Sequence, residues 1–225
     1  MIYVMSDVHG CYDKYMQMLE KIAFKDSDTL YMLGDVVDRG DDPIKVLRDM
    51  RLRPNVRPIM GNHDYIALTL ILQLASAESI DGELQEDFQL WFSDGGLTTM
   101  KRFLELPPDE QQQVIQYLST FSTHETVIVS GKRYILVHAG LPDGSTPDNL
   151  DSFRIQDFVA AQTDYKKQYF VDAFLVTGHV PTDLIDAECK GKVYRRHNHI
   201  AIDAGAVFGG VLACVCLDTG AEYYV

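Results

Sequence analysis

Five short apolar runs of this chain each end in a segment that carries aspartate, asparagine or histidine beside glycine. The polar segments read DVHG at residues 7–10, GDVVDRG at 34–40, GNHD at 61–64, HAG at 138–140 and GH at 178–179. Apolar runs of about 4–8 residues bounded by turn residues are typical of buried strands. Ligands of open α/β structures bind at the carboxyl ends of such strands, so the pattern predicts a functional site assembled from strand ends.

Helical periodicity separates the first strands and then dominates the middle of the chain. Strands are predicted at Ile2–Met5, Thr29–Leu33 and 56–60, with helices at 12–23 and 43–50 and a mostly helical stretch at about 65–122. The remaining segments are a hairpin at 125–130 and 133–138, a helix at 151–162, and strands at 174–177, 199–203, 211–217 and 222–225. Because no repeat or linker interrupts this order, it favours one α+β domain over residues 1–225 with a helical insert at about 65–122.

The charge balance and the cysteine content limit where the chain can act. Twenty Lys and Arg residues against 33 Asp and Glu residues leave a net charge of −13, which argues against nucleic acid or an anionic membrane as a partner. The four cysteines include no CxxC pair, which fits a reducing compartment. The longest apolar stretch, 66–75, is far shorter than the roughly 20 residues of a membrane-spanning helix. We therefore expect a cytoplasmic protein with no nucleic-acid or membrane partner.

The chemistry of the strand-end residues indicates a transition-metal centre. Asp7 and His9 are two residues apart, so both side chains can face one side of an extended segment. Mixed aspartate, asparagine and imidazole ligands suit Mn, Fe or Zn better than the all-oxygen sites of Ca. A carboxylate that bridges two ions about 3.5–4 Å apart is the geometry expected for phosphoester hydrolysis. One such motif alone is usually structural, but five in this order, each at the end of a strand, predict a metal site.

The ordered motifs resemble those of the metal-dependent phosphoprotein phosphatase family, of the serine/threonine type. The similarity is greatest to the compact bacterial and bacteriophage lambda phosphatases, and it extends from Met1 to about Gly210. The resemblance implies the metallophosphoesterase fold, an α+β architecture with a central two-sheet β-sandwich flanked by helices and metals at one sheet edge. It also implies hydrolysis by direct attack of a metal-bridging hydroxide on the phosphoryl group.

The same resemblance implies which residues hold the metals. Two divalent ions, with Mn expected and Fe or Zn as alternatives, would be bound by Asp7, His9, Asp35, Asn62, His138 and His179. Asp35 would bridge both ions, and Asn62 would also contact the substrate.

A second set of residues would bind the phosphoryl group and protonate the leaving group. By resemblance, Arg39 and Arg154 would clamp phosphoryl oxygens, a task that suits the planar guanidinium. His63 would act as the general acid, oriented by Asp38. Phe208 would lie in the loop that borders the substrate pocket.

Several positions depart from the family pattern or are expected to be structural. Ser6 stands where the family usually has glycine, and Asp64 stands where it usually has glutamate, behind the ligands. The HNH segment at 197–199 is expected to form a polar strand face rather than an extra metal site. Cys214 and Cys216 are expected to pack in the core, and Trp91 to pack in the core beneath a lid.

Three functions fit the motifs. The leading hypothesis is a phosphomonoesterase that acts on phosphoserine and phosphothreonine in proteins, or on small phosphoesters. The alternative is a symmetrical diadenosine tetraphosphate hydrolase, a branch that Asp64 fits equally well. The resemblance to that branch is weaker at Asp38, where its pattern lacks the carboxylate, and the branch typically has a longer segment between the residues similar to His138 and His179. Only 40 residues separate these two histidines here, which favours the phosphatase. A non-catalytic phosphopeptide-binding module is disfavoured, because such a module has no need of His63.

Overall fold

Two five-stranded sheets lie face to face in the computed structural model, which describes residues 1–76, 81–159 and 161–225. The first sheet has the strand order β10-β9-β1-β2-β3 and the second has the order β4-β5-β6-β8-β7. The strands are β1 Ile2–Met5, β2 Thr29–Leu33, β3 Val56–Ile59, β4 His124–Val129, β5 Lys132–Val137, β6 Ala173–Thr177, β7 Tyr194–Arg196, β8 His199–Ala201, β9 Ala213–Cys216 and β10 Glu222–Tyr224. The α+β fold with a two-sheet sandwich, expected from the resemblance, is confirmed.

Parallel pairing places several strand ends at one edge of the sandwich. β1 runs parallel to β2, with Met5 opposite Met32, and β2 runs parallel to β3. In the second sheet, β5 runs parallel to β6, with Leu136 opposite Val176, and β6 runs parallel to β8. The loops that follow β1, β2, β3, β5 and β6 are those that carry the polar motifs.

Alternating side chains explain why the central strands are apolar on both faces. In β1, Val4 faces the second sheet and packs in one cluster with Leu136 and Val176. Its neighbour Met5 faces the opposite side and packs in the cluster formed with the helices, where it joins Leu47. A strand that is covered on both faces reads as a continuous apolar run, which is how these strands read in the sequence.

Eight α-helices within the described residues cover the outer faces of the sheets. They are α1 Tyr12–Lys21, α2 Pro43–Leu52, α3 Asn62–Ser76, α4 Gly82–Trp91, α5 Leu97–Leu104, α6 Pro108–Leu118, α7 Ile155–Val159 and α8 Thr182–Ile185. The described part of the predicted insert at about 65–122 is mostly helical, with a π-helical stretch at Phe92–Gly96 between α4 and α5 and turns before and after α6. None of the helices described here is both long and apolar enough to cross a lipid bilayer.

The predicted helix at 151–162 is much shorter in the structure. A 3-10 turn at Leu150–Ser152 is followed by α7 at Ile155–Val159; residue 160 lies outside the described residues, and residues 161 and 162 are not helical. The carboxylate of Asp157 accepts the backbone N–H of Arg154 at 2.9 Å, an interaction typical of a helix start. This contact begins the helix after Arg154 and leaves that arginine in the preceding loop.

The prediction of a polar strand face at 197–199 is wrong for His199. His197 and Asn198 both have positive φ, 54° and 56°, and form the turn of a hairpin between β7 and β8 that the sequence did not predict. His199 follows this turn, is only 1% exposed and lies 2.9 Å from the Thr177 hydroxyl through Nε2. Its ring stacks on Tyr165 with centroids 5.0 Å apart. Cys214 and Cys216 are buried, as predicted.

Candidate metal centre

The predicted metal ligands follow five different strands and meet at one edge of the sandwich. Asp7 and His9 follow β1, Asp35 follows β2, Asn62 begins α3 after β3, His138 follows β5 and His179 follows β6. The backbone is unusual there: Asp7, His9, Asp35, Asp38, Arg39 and His179 all have positive φ. Non-glycine residues rarely adopt this conformation, and clusters of it occur where a fold holds functional side chains in place.

Asp35 lies between two groups of potential ligands. Its Oδ2 oxygen is 3.4 Å from His9 Nε2, and its Oδ1 oxygen is 3.3 Å from His138 Nε2. Two sets of three side chains bring their ligand atoms within 4.8 Å of one another, namely His9, Asp35 and His63, and Asp35, His138 and His179. Because Asp35 belongs to both sets, its carboxylate has the position required of a bridging ligand.

The hydrogen bonds of His9 and His138 fix the orientation of both rings. Val37 O lies 2.8 Å from His9 Nδ1, and Leu33 O lies 2.7 Å from His138 Nδ1. A carbonyl oxygen only accepts, so Nδ1 of each ring carries a proton and Nε2 is the nitrogen that faces the site.

Acceptor atoms crowd together around His138 Nε2. That nitrogen lies 2.9 Å from Asn62 Oδ1 and 3.1 Å from His179 Nδ1, in addition to its approach to Asp35. A cation placed among these atoms could accept a lone pair from each of them once the imidazole nitrogens are deprotonated. This donor set fits a divalent ion of the Mn, Fe or Zn type.

Burial and mutual repulsion perturb the acids and bases of the site. Burial and the nearby Asp35 raise the pKa of Asp7 to about 7. Burial raises the pKa of Asp35 as well, but the His138 and His9 imidazoles outweigh it and hold that pKa well below its usual range. Burial and the neighbouring His138 lower the pKa of His179 to about 4. Perturbed groups of this kind gather at functional sites, and a cation would relieve the repulsion between the buried carboxylates.

Asp7 is held beside the site rather than in either three-residue set. Its two carboxylate oxygens accept the backbone N–H of His179 at 3.2 and 3.0 Å. Asp7 thereby links the loop after β1 in the first sheet to the loop after β6 in the second.

Asp64 and Gly61 hold the loops around Asp35. Asp64 Oδ1 accepts the backbone N–H groups of Val36 and Val37 at 3.0 and 3.2 Å, and Oδ2 accepts that of Gly61 at 3.1 Å. A Cβ atom at Gly61 would lie 2.2 Å from Asp35 Oδ1, so only glycine allows this close approach. Asp64 thus accepts three backbone hydrogen bonds, although its side chain is shorter than the glutamate that the family usually has at this position.

His63 and Asp38 form a buried pair beside the predicted metal ligands. His63 Nδ1 lies 2.8 Å from Asp38 Oδ2, and both side chains are almost fully buried. Two residues of the insert also hold Asp38: Trp91 Nε1 donates to Oδ2 at 2.7 Å, and the Thr99 hydroxyl donates to Oδ1 at 2.6 Å. Trp91 is buried, as predicted from the sequence, but its contact with Asp38 and the part played by Thr99 could not be predicted from the motifs.

The two predicted phosphate-binding arginines have different surroundings. Arg39 Nη1 lies 2.6 Å from His9 Nε2, and its guanidinium carbon lies 5.2 Å from the centroid of the Phe208 ring. Its Nη2 donates to Asp94 Oδ1 at 3.0 Å. Asp94 was not among the site residues predicted from the sequence. Arg154 lies outside this cluster, with a side chain that is 79% exposed and paired with Asp157.

This geometry has counterparts among known proteins. Residues 1–210 match the sequence profile of the calcineurin-like phosphoesterases. The chain belongs to this metallophosphoesterase family. The family implies divalent metal ions. In the described part of this chain, the candidate ligands for such ions are the two sets of side chains that share Asp35.

The curated relatives fall into two activities. Serine/threonine-protein phosphatase 2 of Salmonella typhimurium is 28% identical over 178 residues, which cover 77% of this chain and 66% of that protein. The symmetrical bis(5'-nucleosyl)-tetraphosphatase of Delftia acidovorans is 31% identical over 155 residues, 65% of this chain and 47% of that protein. The counterpart from Shigella dysenteriae is 29% identical over 76% of this chain and 54% of its own length. The chain thus spans about half to two thirds of the length of these relatives.

Solved structures share the fold over nearly the whole chain. A crystal structure described provisionally as a diadenosine tetraphosphatase matches 100% of this chain and 92% of its own, with a TM-score of 0.69 and 20% identity. The cold-active protein-tyrosine phosphatase of a psychrophilic Shewanella species matches 99% of this chain and 79% of its own, with a TM-score of 0.55 and 16% identity. At these identities the likeness shows the fold alone.

Proposed function

We propose that this metallophosphoesterase is a two-metal phosphomonoesterase that acts on phosphoserine and phosphothreonine in proteins. The observation that carries the proposal is the buried pair of His63 and Asp38, whose Nδ1 and Oδ2 atoms are 2.8 Å apart. A serine or threonine alkoxide is strongly basic and leaves only if it receives a proton. An imidazole oriented by a carboxylate is suited to deliver that proton.

The metal ligands in this proposal are those predicted from the motifs. Asp7, His9 and Asp35 would hold one ion, and Asp35, Asn62, His138 and His179 the other, with Mn the expected metal and Fe or Zn the alternatives. Divalent ions held there supply a water of lowered pKa and positive charge for the phosphoryl oxygens. The shared position of Asp35 in both ligand sets supports this arrangement.

The chain's own cations and acids complete the proposed site. Arg39 lies 2.6 Å from His9 Nε2 and is placed to clamp a phosphoryl oxygen next to the ligands. To do so, its guanidinium must exchange its contact with Asp94 for one with the substrate. Arg154 is a second candidate clamp that would have to leave Asp157 first. A cytoplasmic location and the single-domain organisation stay predictions.

A second candidate function is the symmetrical hydrolysis of dinucleoside tetraphosphates. Relatives from Delftia acidovorans and Shigella dysenteriae bear that name and cover 65% and 76% of this chain. The phosphate of a departing nucleoside diphosphate is weakly basic and leaves without strong acid assistance. The pair of His63 and Asp38, in which Trp91 and Thr99 hold the carboxylate, therefore favours a substrate with an alkoxide leaving group over a dinucleotide.

The deciding experiment compares kcat/KM for a phosphoserine peptide, para-nitrophenyl phosphate and diadenosine tetraphosphate at equal Mn concentration. We expect both phosphomonoesters to be hydrolysed more efficiently than the dinucleotide. A clear preference for the dinucleotide, with ADP as the product, would establish the second candidate instead.

A further inference from the structure

A cavity of about 380 Å³ lies between α3 and α4, directly beside His63. Its wall carries the apolar side chains of Tyr65, Ile66 and Leu70 from α3 and of Leu90 and Trp91 from α4. Leu90 is 68% exposed, so the mouth of the cavity presents apolar surface to water. Apolar concave surface beside a catalytic group is typical of a binding site.

The charged groups of the cavity are acidic. Asp87 and Asp94 line it, whereas no lysine or arginine does so among the residues that the structure describes. Asp94 contacts Arg39, but no ion pair of Asp87 is found within the described part of the chain. Such a cavity attracts an occupant that combines an apolar group with a positive charge, and it repels an anion.

The position of the cavity relates it to the leaving group. His63 forms part of the lining, and its Nε2 nitrogen lies 3.5 Å from Asp94 Oδ2 at the same end. In the proposed function, His63 Nε2 gives its proton to the departing oxygen. Whatever is attached to that oxygen therefore extends towards the cavity.

We propose that the α3–α4 cavity binds the residue next to phosphoserine or phosphothreonine in the substrate, and that it selects an apolar side chain together with a nearby lysine or arginine. This inference rests on the proposed function and deepens it by naming the class of peptide. The departing ADP of a dinucleotide would bring negative charge past Asp87 and Asp94, so the same cavity disfavours the second candidate substrate.

The indole of Trp91 connects the cavity to the pair of His63 and Asp38. One part of the side chain lines the cavity, while its Nε1 nitrogen donates to Asp38 Oδ2 at 2.7 Å. An occupant of the cavity would thus pack against the side chain that holds Asp38 and, through it, His63.

The test measures kcat/KM for phosphoserine peptides whose flanking residues are leucine and lysine, glycine and lysine, or leucine and aspartate. Wild-type enzyme should prefer leucine over glycine by about 10-fold, the value of one largely buried apolar side chain. Leu90→Ser should bring the ratio of kcat/KM for the leucine peptide to that for the glycine peptide close to one. Asp87→Lys should lower the ratio of the lysine to the aspartate peptide by about fivefold or more. General damage to the enzyme would slow all peptides equally and leave both ratios unchanged.

Matched controls are exposed residues that do not line the cavity. Glu86→Lys makes the same charge change on α4, and Leu104→Ser removes an exposed leucine from α5. Both controls should keep the wild-type ratios. The cavity assignment would be overturned if the wild-type enzyme hydrolysed all three peptides with similar kcat/KM, or if the control variants changed the two ratios as much as the cavity variants do. The phosphatase activity itself would still stand in either case. No hydrolysis of any phosphopeptide, with cleavage of diadenosine tetraphosphate, would instead overturn the proposed function and this inference together.

Discussion

The indole Nε1 of Trp91 donates a 2.7 Å hydrogen bond to Asp38 Oδ2, the same oxygen that lies 2.8 Å from His63 Nδ1. One carboxylate oxygen therefore joins a strand-end motif to the helical insert. Burial makes such a shared contact energetically important, because a polar atom without a partner is costly in the interior. The insert thus supports the proposed acid as well as forming a wall of the adjacent cavity.

Trp91→Phe should slow phosphopeptide hydrolysis without loss of metal. The phenyl ring keeps most of the packing but removes the donor to Asp38, and a hydrogen bond to a charged group is worth about 1.5–3 kcal/mol. We expect kcat for a phosphoserine peptide to fall about 10-fold or more. The effect on para-nitrophenyl phosphate should be smaller, because its leaving group needs little protonation.

Thr99→Val and Thr98→Val form a matched pair for the same relationship. The Thr99 hydroxyl donates to Asp38 Oδ1, whereas the Thr98 hydroxyl donates to Gly95 O. Only Thr99→Val should reproduce the substrate-dependent defect of Trp91→Phe. Equal slowing of both substrates by Trp91→Phe and Thr99→Val would mean that these residues stabilise the fold rather than the acid pair.

His63→Asn separates acid catalysis from metal binding. General acid catalysis typically contributes 10²–10⁴-fold, so phosphoserine-peptide hydrolysis should fall by about that factor while para-nitrophenyl phosphate hydrolysis falls far less. Asp38→Asn should give a milder form of the same defect, because Asp38 orients the imidazole. The comparison requires pre-steady-state rates, so that chemistry and not product release is measured.

The metal content of His63→Asn shows whether His63 acts as the general acid or as a metal ligand. His63 lies in one of the two possible ligand sets, together with His9 and Asp35. The general-acid role requires that the purified variant keep the wild-type metal stoichiometry. Loss of one ion would make His63 a ligand, contrary to the role proposed for it.

The strand-end residues could be predicted from the sequence because local patterns determine where they lie. Each of Asp7, Asp35 and His138 follows an apolar run that becomes a strand, and parallel strands end at the same edge of a sheet. Motif spacing along the chain is enough to identify such residues. It does not give the distances between them, such as the 3.3 Å from Asp35 to His138.

Contacts made by the insert could not be predicted in this way. Trp91 and Thr99 meet Asp38 across 53 and 61 residues of sequence, and this depends on how α4 and α5 dock onto the loop after β2. Helical periodicity predicts that Trp91 is buried but not which polar atom its indole reaches. His199 was misplaced for a similar reason, since its partners Thr177 and Tyr165 lie on distant segments.

Asp35→Asn should impair binding of both ions at once. The carboxylate belongs to both ligand sets, so an amide in its place removes charge from each of them. Elemental analysis should find two divalent ions per wild-type chain and substantially fewer in the variant, with activity lost in parallel and restored only at high Mn. Asp148→Asn, an exposed position beside Arg133, should keep the wild-type content. A metal-free wild-type protein whose activity resists chelators would contradict the two-metal proposal.

Protonation of His199 should make the folded state less stable at mildly acidic pH. Burial lowers the pKa of His199 to about 4, against about 6.5 in an unfolded chain. Between these two values the unfolded chain binds a proton that the folded chain does not, so the free energy of unfolding falls as the pH falls from 6.5 towards 4. The loss from this residue amounts to about 3 kcal/mol across the full interval.

Chemical denaturation in excess Mn at several pH values between 7 and 4.5 measures this effect. His199→Gln, or His199→Phe if the amide is not tolerated, should unfold with a weaker dependence on pH than the wild type. His197→Gln is the matched control, because His197 lies two residues away in the exposed hairpin turn and should keep the wild-type dependence. Carboxylates with raised pKa values, such as Asp7 and Asp203, affect all of these proteins alike, so the difference between variants isolates His199. A wild-type dependence on pH in both His199 variants would show that His199 is protonated equally in the folded and unfolded chains.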